Sequence, residues 1–193
     1  MAKKLTQEEI FETALKTFAR YGFRRARVED VAKDLNVAVG TLYRYVKDKK
    51  DLYERTVEFG IRSWQGRVME AIQGMDNPLD KFRLMGMKGY DYLEQEPDLR
   101  QILMDDPTIF PLSPRKIRFP EIDSTSISLI KSILTDGVEQ KVFRDVDIEA
   151  TANILYSIYV MFIIKTYVKS EETSTRQMFE KGLELILHGL VNV

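Results

Sequence analysis

Hydrogen-bonding and cationic side chains are concentrated in a short segment near the N-terminus. Tyr43, Arg44 and Tyr45 follow one another directly and provide two phenols and a guanidinium. Lys47 and Lys49 come immediately after them. Groups of these types donate hydrogen bonds to phosphate oxygens and to the edges of bases. The segment therefore predicts contact with a nucleic acid.

A run of arginines precedes this segment. Four lie within eight residues, at Arg20, Arg24, Arg25 and Arg27. Residues 1–55 contain 13 Lys and Arg against 9 Asp and Glu, whereas the remaining residues contain 16 against 21. A local basic patch binds phosphates even when a protein is nearly neutral, and this chain has a formal net charge of −1. The alternative is a solvated helix end, the usual position of a charge run.

The composition argues against several other kinds of site. The chain has no cysteine, which excludes disulfides, thiolate metal ligands and a cysteine nucleophile. Its single histidine, His188, has no partner ligands near it in the sequence. The sequence also lacks a glycine-rich phosphate loop. We therefore predict that the protein is not an enzyme and that it holds neither a metal nor a cofactor.

The most apolar segment covers residues 154–164 and is interrupted by Ser157. Its 11 residues are fewer than the roughly 18 to 20 that are needed to span a bilayer. The basic residues at positions 1–6 are not followed by the apolar core of a signal peptide. We therefore expect residues 154–164 to form a buried helix. We also expect the protein to be cytoplasmic.

Helix signals show how the polar residues are positioned. Thr6 and Glu9 have the spacing of a capping box, which begins a first helix. An apolar stripe follows at helical spacing, formed by Ile10, Phe11, Ala14, Leu15, Phe18 and Ala19. Gly22 comes after the stripe and is expected to end the helix in a left-handed conformation.

Two short helices are predicted next, over residues 28–35 and 39–46, with Asn36 in the turn between them. Leu42 and Val46 would face inward in the second of these helices. Three short helices with a basic excess predict a helix-turn-helix unit, whose second helix enters the major groove of DNA. Small or polar residues at 39–41 begin that helix, so its backbone can approach DNA.

The rest of the sequence also predicts helices. Residues 105–123 contain four of the six prolines and are expected to form a long loop with room for one helical turn. The other predicted helices cover residues 49–74, 78–95, 97–104, 124–141, 147–169 and 174–190, the last with a second capping box at Ser174 and Gln177.

Residues 6–55 resemble the TetR family of transcriptional regulators in order and spacing. The resemblance rests on Gly22-Phe23, on residues 28–32 (VEDVA) and on residues 37–52 (VAVGTLYRYVKDKKDL). The remaining residues are similar to the family only in length and helix order.

The resemblance implies an all-α fold with two domains. Residues 1–50 would form a three-helix helix-turn-helix DNA-binding domain. Residues 51–193 would form a helical effector-binding and dimerisation domain.

The resemblance also implies a set of DNA contacts on and around the recognition helix. Tyr43 and Tyr45 would lie near the DNA backbone, and Lys49 would bind a phosphate from the following helix. The alternative for the two tyrosines is a packing role. The implied contacts are Arg27, Val28, Val39, Gly40, Thr41, Tyr43, Arg44, Tyr45, Lys47 and Lys49.

Four positions depart from the family pattern. Ala26 and Arg27 replace the usual Thr or Ser, so the hydroxyl cap there is missing and Arg27 could pair with a phosphate instead. Tyr45 stands where His is frequent, and Asn36 where Gly is frequent. The operator sequence therefore cannot be inferred from relatives.

We expect a repressor that leaves a palindromic operator when a small apolar or aromatic effector binds, with the hinge in the helix over 49–74. The alternative is a DNA-binding activator or architectural protein with no small-molecule ligand. Candidate effector contacts, for which plain core packing is the alternative, are Trp64, Phe82, Met85, Tyr90, Phe110, Tyr156 and Tyr159.

A homodimer is expected from the helix over 147–169. This helix is apolar on nearly every side, which indicates burial against its own core and against a second chain. The family resemblance implies a four-helix interface that it shares with the helix over 124–141. The alternative is a central helix in a monomer.

Overall fold

The computed structural model of the chain describes residues 5–110, 118–168 and 174–192, and the side chains of all of these except 163–168 and 174–175. The described residues form helices, with one isolated β-bridge between Phe143 and Val191 and no strand. No helix among them is both long enough and apolar enough to cross a membrane. The helices are α1 (Gln7–Arg25), α2 (Val28–Asp34), α3 (Val39–Leu42), α4 (Lys49–Ala71), α5 (Pro78–Glu94), α6 (Pro97–Asp105), α7 (Pro120–Glu139), α8 (Ile148–Val168) and α9 (Ser174–Leu190), with a 3₁₀ turn at Pro107–Ile109.

The described residues divide into two compact units. Unit 1 contains residues 5–63 and 96–106, and unit 2 contains the rest. The division falls within α4, so this helix contributes to both units. The boundary predicted after residue 50 separates a DNA-binding domain from an effector-binding domain, and this division by function stays a prediction.

Helix α1 begins as predicted. The backbone N–H of Glu9 donates to Thr6 Oγ1 at 3.1 Å, and that of Thr6 donates to Glu9 Oε2 at 3.0 Å. The predicted end at Gly22 is instead a kink, at which Gly22 has φ +70° and one further helical turn reaches Arg25. Glycine tolerates this non-helical backbone conformation at little steric cost, so the helix is interrupted at Gly22 and resumes for its last turn.

The turn between α2 and α3 also agrees with the sequence, since Asn36 has φ +56°. Regular α3 is shorter than predicted and ends at Leu42. The residues after Leu42 form a tighter turn of the 3₁₀ type. In this turn, the Tyr45 N–H donates to the carbonyl of Leu42, three residues earlier, at 2.8 Å. Leu42 and Val46 are both buried, as their spacing predicted.

Helix α6 packs in unit 1 although it follows α5 in sequence. Gly60 of α4 makes room for it, since a Cβ atom there would lie 3.1 Å from Leu99 Cδ1 and 3.3 Å from Leu15 Cδ1. Tyr53 adds a polar contact by donating its hydroxyl to Asp106 Oδ2 at 3.0 Å. These contacts close the core beneath α1.

The core of unit 2 is formed mainly by α5, α7, α8 and α9. Helix α5 begins as predicted, with Asn77 Oδ1 accepting from Leu79 N–H at 2.9 Å. Helix α7 begins at Pro120, four residues before its predicted start, because proline is well tolerated in the first turn of a helix. The predicted loop is correspondingly shorter. It includes residues 111–117, which lie outside the described residues.

Helices α8 and α9 match their predicted positions closely. Helix α8 begins after Asp147, whose Oδ1 accepts from Ala150 N–H at 2.9 Å. The predicted capping box of α9 depends on the Ser174 side chain, which lies outside the described residues. Buried side chains along α9 are Phe179, Leu183, Leu187 and Leu190.

Candidate nucleic-acid interface

A basic cleft opens on unit 1 where the end of α1, the start of α2, the end of α3 and the start of α4 meet. Its volume is about 540 Å³, and it is open to solvent. Its lining residues are Arg24, Arg25, Ala26, Arg27, Val28, Glu29, Tyr43 and Lys49. Four cations and one phenol around a concave surface form an environment that binds phosphate.

Arg27 and Val28 lie at the start of α2 as expected. Arg27 is exposed and is the N-cap residue. Its backbone N–H donates to Asp30 Oδ2 at 3.1 Å. A guanidinium has no acceptor atom, so only this half of a capping box exists. The Val28 side chain is buried, which leaves only its backbone to face DNA.

One exposed face is formed by Gly40 of α3 and by Tyr43 and Arg44 of the turn that follows it. Tyr43 exposes 48% of its surface despite being aromatic. No atom lies within 4 Å of a Cβ built on Gly40, so the backbone there is open to close approach. Val39 and Thr41 are only half-buried. This face has the size and polarity that direct groove contacts require.

Tyr45 has a different environment from Tyr43. It is half-buried, and its hydroxyl donates to the Leu5 carbonyl at 3.0 Å. Its own carbonyl accepts a hydrogen bond from Arg55 Nη1. These contacts favour the packing alternative for Tyr45, since its hydroxyl already has a partner within the protein.

Lys49 also makes contacts inside the protein. Its ammonium donates to the Arg24 carbonyl at 3.0 Å and lies 4.9 Å from the centre of the Phe23 ring. Lys49 therefore holds the turn after Gly22 while it lines the cleft. Lys47 is exposed, and its backbone N–H donates to Asp51 Oδ2 at 2.9 Å.

Arg24 and Arg25 line the cleft but were absent from the contacts implied by the resemblance. The Arg25 Nε donates to the Tyr21 carbonyl at 3.3 Å, and both arginines are exposed. The arginine run was visible in the sequence. The kink at Gly22 that turns the last helical turn toward the cleft was not.

Six of the seven candidate effector contacts belong to one aromatic region of unit 2. The rings of Trp64 and Tyr159 stack with centroids 6.2 Å apart. Trp64 Nε1 donates to the Gly89 carbonyl at 2.9 Å. Tyr159 also lies close to Gly89, since a Cβ atom built on Gly89 would be 2.3 Å from the Tyr159 hydroxyl oxygen. The others in this region are Phe82, Met85, Tyr90 and Tyr156.

Phe110 is the seventh candidate and is half-buried. It adjoins residues 111–117, which lie outside the described residues. Its role as an effector contact stays a prediction.

Polar residues of α4 and α7 adjoin this region and were missed in the sequence. Gln65 Nε2 donates to Ser126 Oγ at 2.7 Å and to the Ile122 carbonyl at 2.9 Å. Tyr156 donates its hydroxyl to Asp123 Oδ1 at 2.6 Å. Asp123 was missed because the prolines predicted a loop through residue 123, which hid the first turn of α7.

Asp123 and Tyr156 have perturbed acidities. Burial raises the pKa of the Asp123 carboxyl, and the hydrogen bond from Tyr156 opposes this only in part. Burial, and then the hydrogen bond to Asp123, also raise the pKa of the Tyr156 phenol. The pair is therefore a polar group held beside an otherwise apolar core.

Residues 10–56 match the model of the family described as bacterial regulatory proteins, tetR family. Over these residues the chain is similar to the TetR family. These residues contain α2, α3 and every residue that lines the cleft, so the resemblance predicted from residues 6–55 is confirmed. The all-α fold with an N-terminal helix-turn-helix is also confirmed.

Relatives extend the similarity along the chain. The HTH-type transcriptional repressor KstR2 of Mycobacterium tuberculosis is 21% identical, covering 94% of this chain and 91% of its own. The fatty acid metabolism regulator protein of Bacillus subtilis is 20% identical and covers 95% of both chains. The names of these relatives describe regulators and not enzymes.

Solved structures share the fold at low identity. A TetR transcription regulator from Haloarcula marismortui has a TM-score of 0.81 at 16% identity, covering 96% of this chain and 97% of its own. FadR from Bacillus subtilis, in complex with stearoyl-CoA, has a TM-score of 0.76 at 20% identity, covering 95% and 99%. A putative regulator from Saccharomonospora viridis, in complex with choline, has a TM-score of 0.77 at 20% identity, covering 96% and 97%.

Proposed function

We propose that this chain is a dimeric repressor that binds a palindromic DNA operator and leaves it when a small-molecule effector binds unit 2. The observation that carries the proposal is the basic cleft, where Arg27, Tyr43 and Lys49 come together beside the open face of α3. The proposal includes a cytoplasmic location, because the operator must be accessible to the protein.

The DNA contacts divide by chemistry. The cations of the cleft would neutralise phosphates, which fixes the register of the protein on the duplex. Tyr43 and Arg44 would add hydrogen bonds from the face of α3, where Gly40 allows the backbone to approach. Val28 would contribute through its backbone alone, because its side chain is buried.

The effector would bind in the aromatic region of unit 2. Stacked Trp64 and Tyr159 provide apolar and aromatic surface, and the Asp123–Tyr156 pair provides a polar anchor. Stearoyl-CoA and choline bind other proteins of this fold, which supports a small-molecule site in this domain while leaving its chemical class open.

The dimer interface would be formed by α8 and α9. Their exposed apolar side chains are Ile154 (58%) and Met161 (50%) on α8, and Met178 (43%) and Leu185 (75%) on α9. Each pair is seven residues apart and so lies on one helix face. Helix α7, expected to share the interface, has no comparably exposed large apolar side chain among the described residues. We therefore replace α7 by α9 in the proposed four-helix interface.

Helix α4 would couple effector to DNA, because it contributes residues to both units. At its end in unit 2, Trp64 and Gln65 bond to α5 and α7. An effector shifts the equilibrium only by binding two states with different affinities. The state with effector bound would hold the two recognition helices at a spacing that no longer fits successive major grooves.

The proposal is tested by selecting duplexes from a random-sequence pool with the purified protein. We expect a palindromic consensus with half-sites about one helical turn apart, 10 to 10.5 base pairs, or a multiple of that. A recovered pool without any consensus would contradict sequence-specific binding.

The effector step is tested on the selected duplex with two probes, stearoyl-CoA and choline. A probe at 100 times its Kd stabilises the protein by about 2.7 kcal/mol, or a rise in Tm of roughly 5 to 10 °C. We expect such a probe also to release the duplex. A probe that raises Tm and leaves the duplex bound would contradict the release mechanism.

A further inference from the structure

The recognition helix α3 is too short to hold its own position. It has four regular residues, Val39–Leu42, and only Leu42 among them is buried. Helices of this length are unstable in water because nucleation is costly relative to the bonds gained. The orientation of Tyr43 and Arg44 must therefore depend on contacts made beyond the helix.

Tyr45 makes such contacts through its side chain and through its backbone. Its hydroxyl donates to the carbonyl of Leu5, which is buried just before α1. Its carbonyl, at the end of the turn that follows α3, accepts from Arg55 Nη1. Tyr45 is thus fixed between the start of α1 and the middle of α4.

Arg55 is in turn fixed against the core of unit 1. It is half-buried, and its guanidinium carbon lies 5.1 Å from the centre of the Phe11 ring. Phe11 is buried and contacts Phe59, with ring centroids 5.8 Å apart. A guanidinium stays charged and planar, so one face can lie over a ring while its edge donates to a carbonyl at a helix end.

We infer that Arg55 is a positioning residue for DNA recognition, which sets the recognition helix through Tyr45 without touching DNA itself. The inference rests on the proposed function of α3 as the DNA-reading helix. Arg55 is not among the residues that line the basic cleft. In the sequence it counts only as one more cation in a basic segment.

The experiment compares Arg55→Met, which removes the charge and both contacts, with Arg55→Lys, which keeps a donor. The probe is a duplex that the wild-type protein has selected from a random pool. We expect Arg55→Met to weaken binding by about tenfold for each protomer, the effect of losing one charge-assisted hydrogen bond, and so by about 100-fold for the dimer. Arg55→Lys should weaken binding by less than about threefold for each protomer.

Two further readouts separate positioning from other roles. The slope of log K against log salt should equal that of the wild type for both variants, because no phosphate contact is lost. Amide hydrogens of residues 41–45 should exchange faster in Arg55→Met without DNA, while those of α1 stay protected. Arg62→Met is the matched control, since Arg62 lies on the same helix and pairs with Glu58 at the surface.

Wild-type affinity in Arg55→Met would overturn the inference, as would a slope reduced by about 0.9 for each protomer, which would mark a phosphate contact. If Arg55→Met fails to fold, Tyr45→Phe breaks the bond to Leu5 instead. We then expect a loss of a few-fold at unchanged slope, and no loss would overturn the inference. If the wild type selects no duplex, the proposed function fails, while hydrogen exchange at 41–45 still decides whether Arg55 positions α3.

Discussion

Individual side chains in the cleft differ in how free they are to meet a phosphate. Arg27 is exposed at the N-cap of α2, and its backbone, rather than its guanidinium, bonds to Asp30. Lys49 is bonded to the Arg24 carbonyl and lies over Phe23. Loss of Lys49 would therefore remove a cation and also loosen the turn after Gly22, so Arg27 gives the cleaner test of phosphate binding.

Sequence predicted the residues whose role depends on near neighbours along the chain. The capping box of Thr6 and Glu9 and the inward faces of Leu42 and Val46 follow from local spacing. The environment of Tyr45 does not, because its partner Leu5 is 40 residues away and only the fold brings them together. The same is true of Arg55 and its position over Phe11.

The Asp123→Asn variant tests the half-buried carboxyl of unit 2. Because folding raises the pKa of Asp123, the carboxyl stabilises the fold at low pH and loses that contribution as pH rises through the raised pKa. At pH 7 the ionised carboxylate is held where burial disfavours it. The amide of the variant still accepts from Tyr156 and carries no charge.

We therefore expect Asp123→Asn to have a higher Tm than the wild type at pH 7. The difference should shrink as pH falls toward the ordinary pKa of Asp, about 3.9. Thermal melts across this range provide the measurement, with Asp76→Asn at an exposed position as the control. A lower Tm at pH 7 would mean that the negative charge of Asp123 supports the fold.

Among the described residues, helices α8 and α9 carry four of the exposed large apolar side chains. Leu185 is the most exposed of the large apolar side chains in the described part of the chain. Gly189 lies one turn further on and has no atom within 4 Å of a built Cβ. A partner helix could approach closely there, as dimerisation through α9 requires.

We expect Leu185→Glu to dissociate the dimer. The change removes an apolar contact worth about 1.5 to 3 kcal/mol per protomer and introduces an unpaired buried charge. The dimer Kd should rise by more than about 100-fold, which sedimentation of the purified protein would measure. Met69→Glu, at an exposed apolar site on α4, is the control.

A dimer that survives Leu185→Glu and dissociates with Ser128→Glu would locate the interface on α7 instead. Ser128 is exposed on that helix, so the substitution places the same charge on the alternative surface.

The sequence predicted the existence of every helix but not every end. Helix α7 was placed too late because four prolines were taken to break helices, although Pro120 occupies a first turn where proline is favourable. The packing of α6 in unit 1 could not be predicted from periodicity, which shows that a helix has an apolar face and not what covers it.

Across the whole molecule, charge and connectivity fit a regulator in which one part reads DNA and another responds to a ligand. The net negative charge of the chain hides a basic excess in residues 1–55, where the cleft lies. Helix α4 passes from unit 1 into unit 2. In the proposed function, the cations of the cleft bind the phosphates of a specific duplex.

The most direct test is the salt dependence of binding to the selected duplex for the wild type and Arg27→Met, with Arg62→Met as the matched control. Each phosphate contact contributes about 0.9 to the slope of log K against log salt, so a dimer that loses two should have a slope about 1.8 smaller. We predict that decrease for Arg27→Met and no change for Arg62→Met. Selective binding with the full wild-type slope in Arg27→Met, and likewise in Lys49→Met, would show that the cleft does not face the DNA backbone.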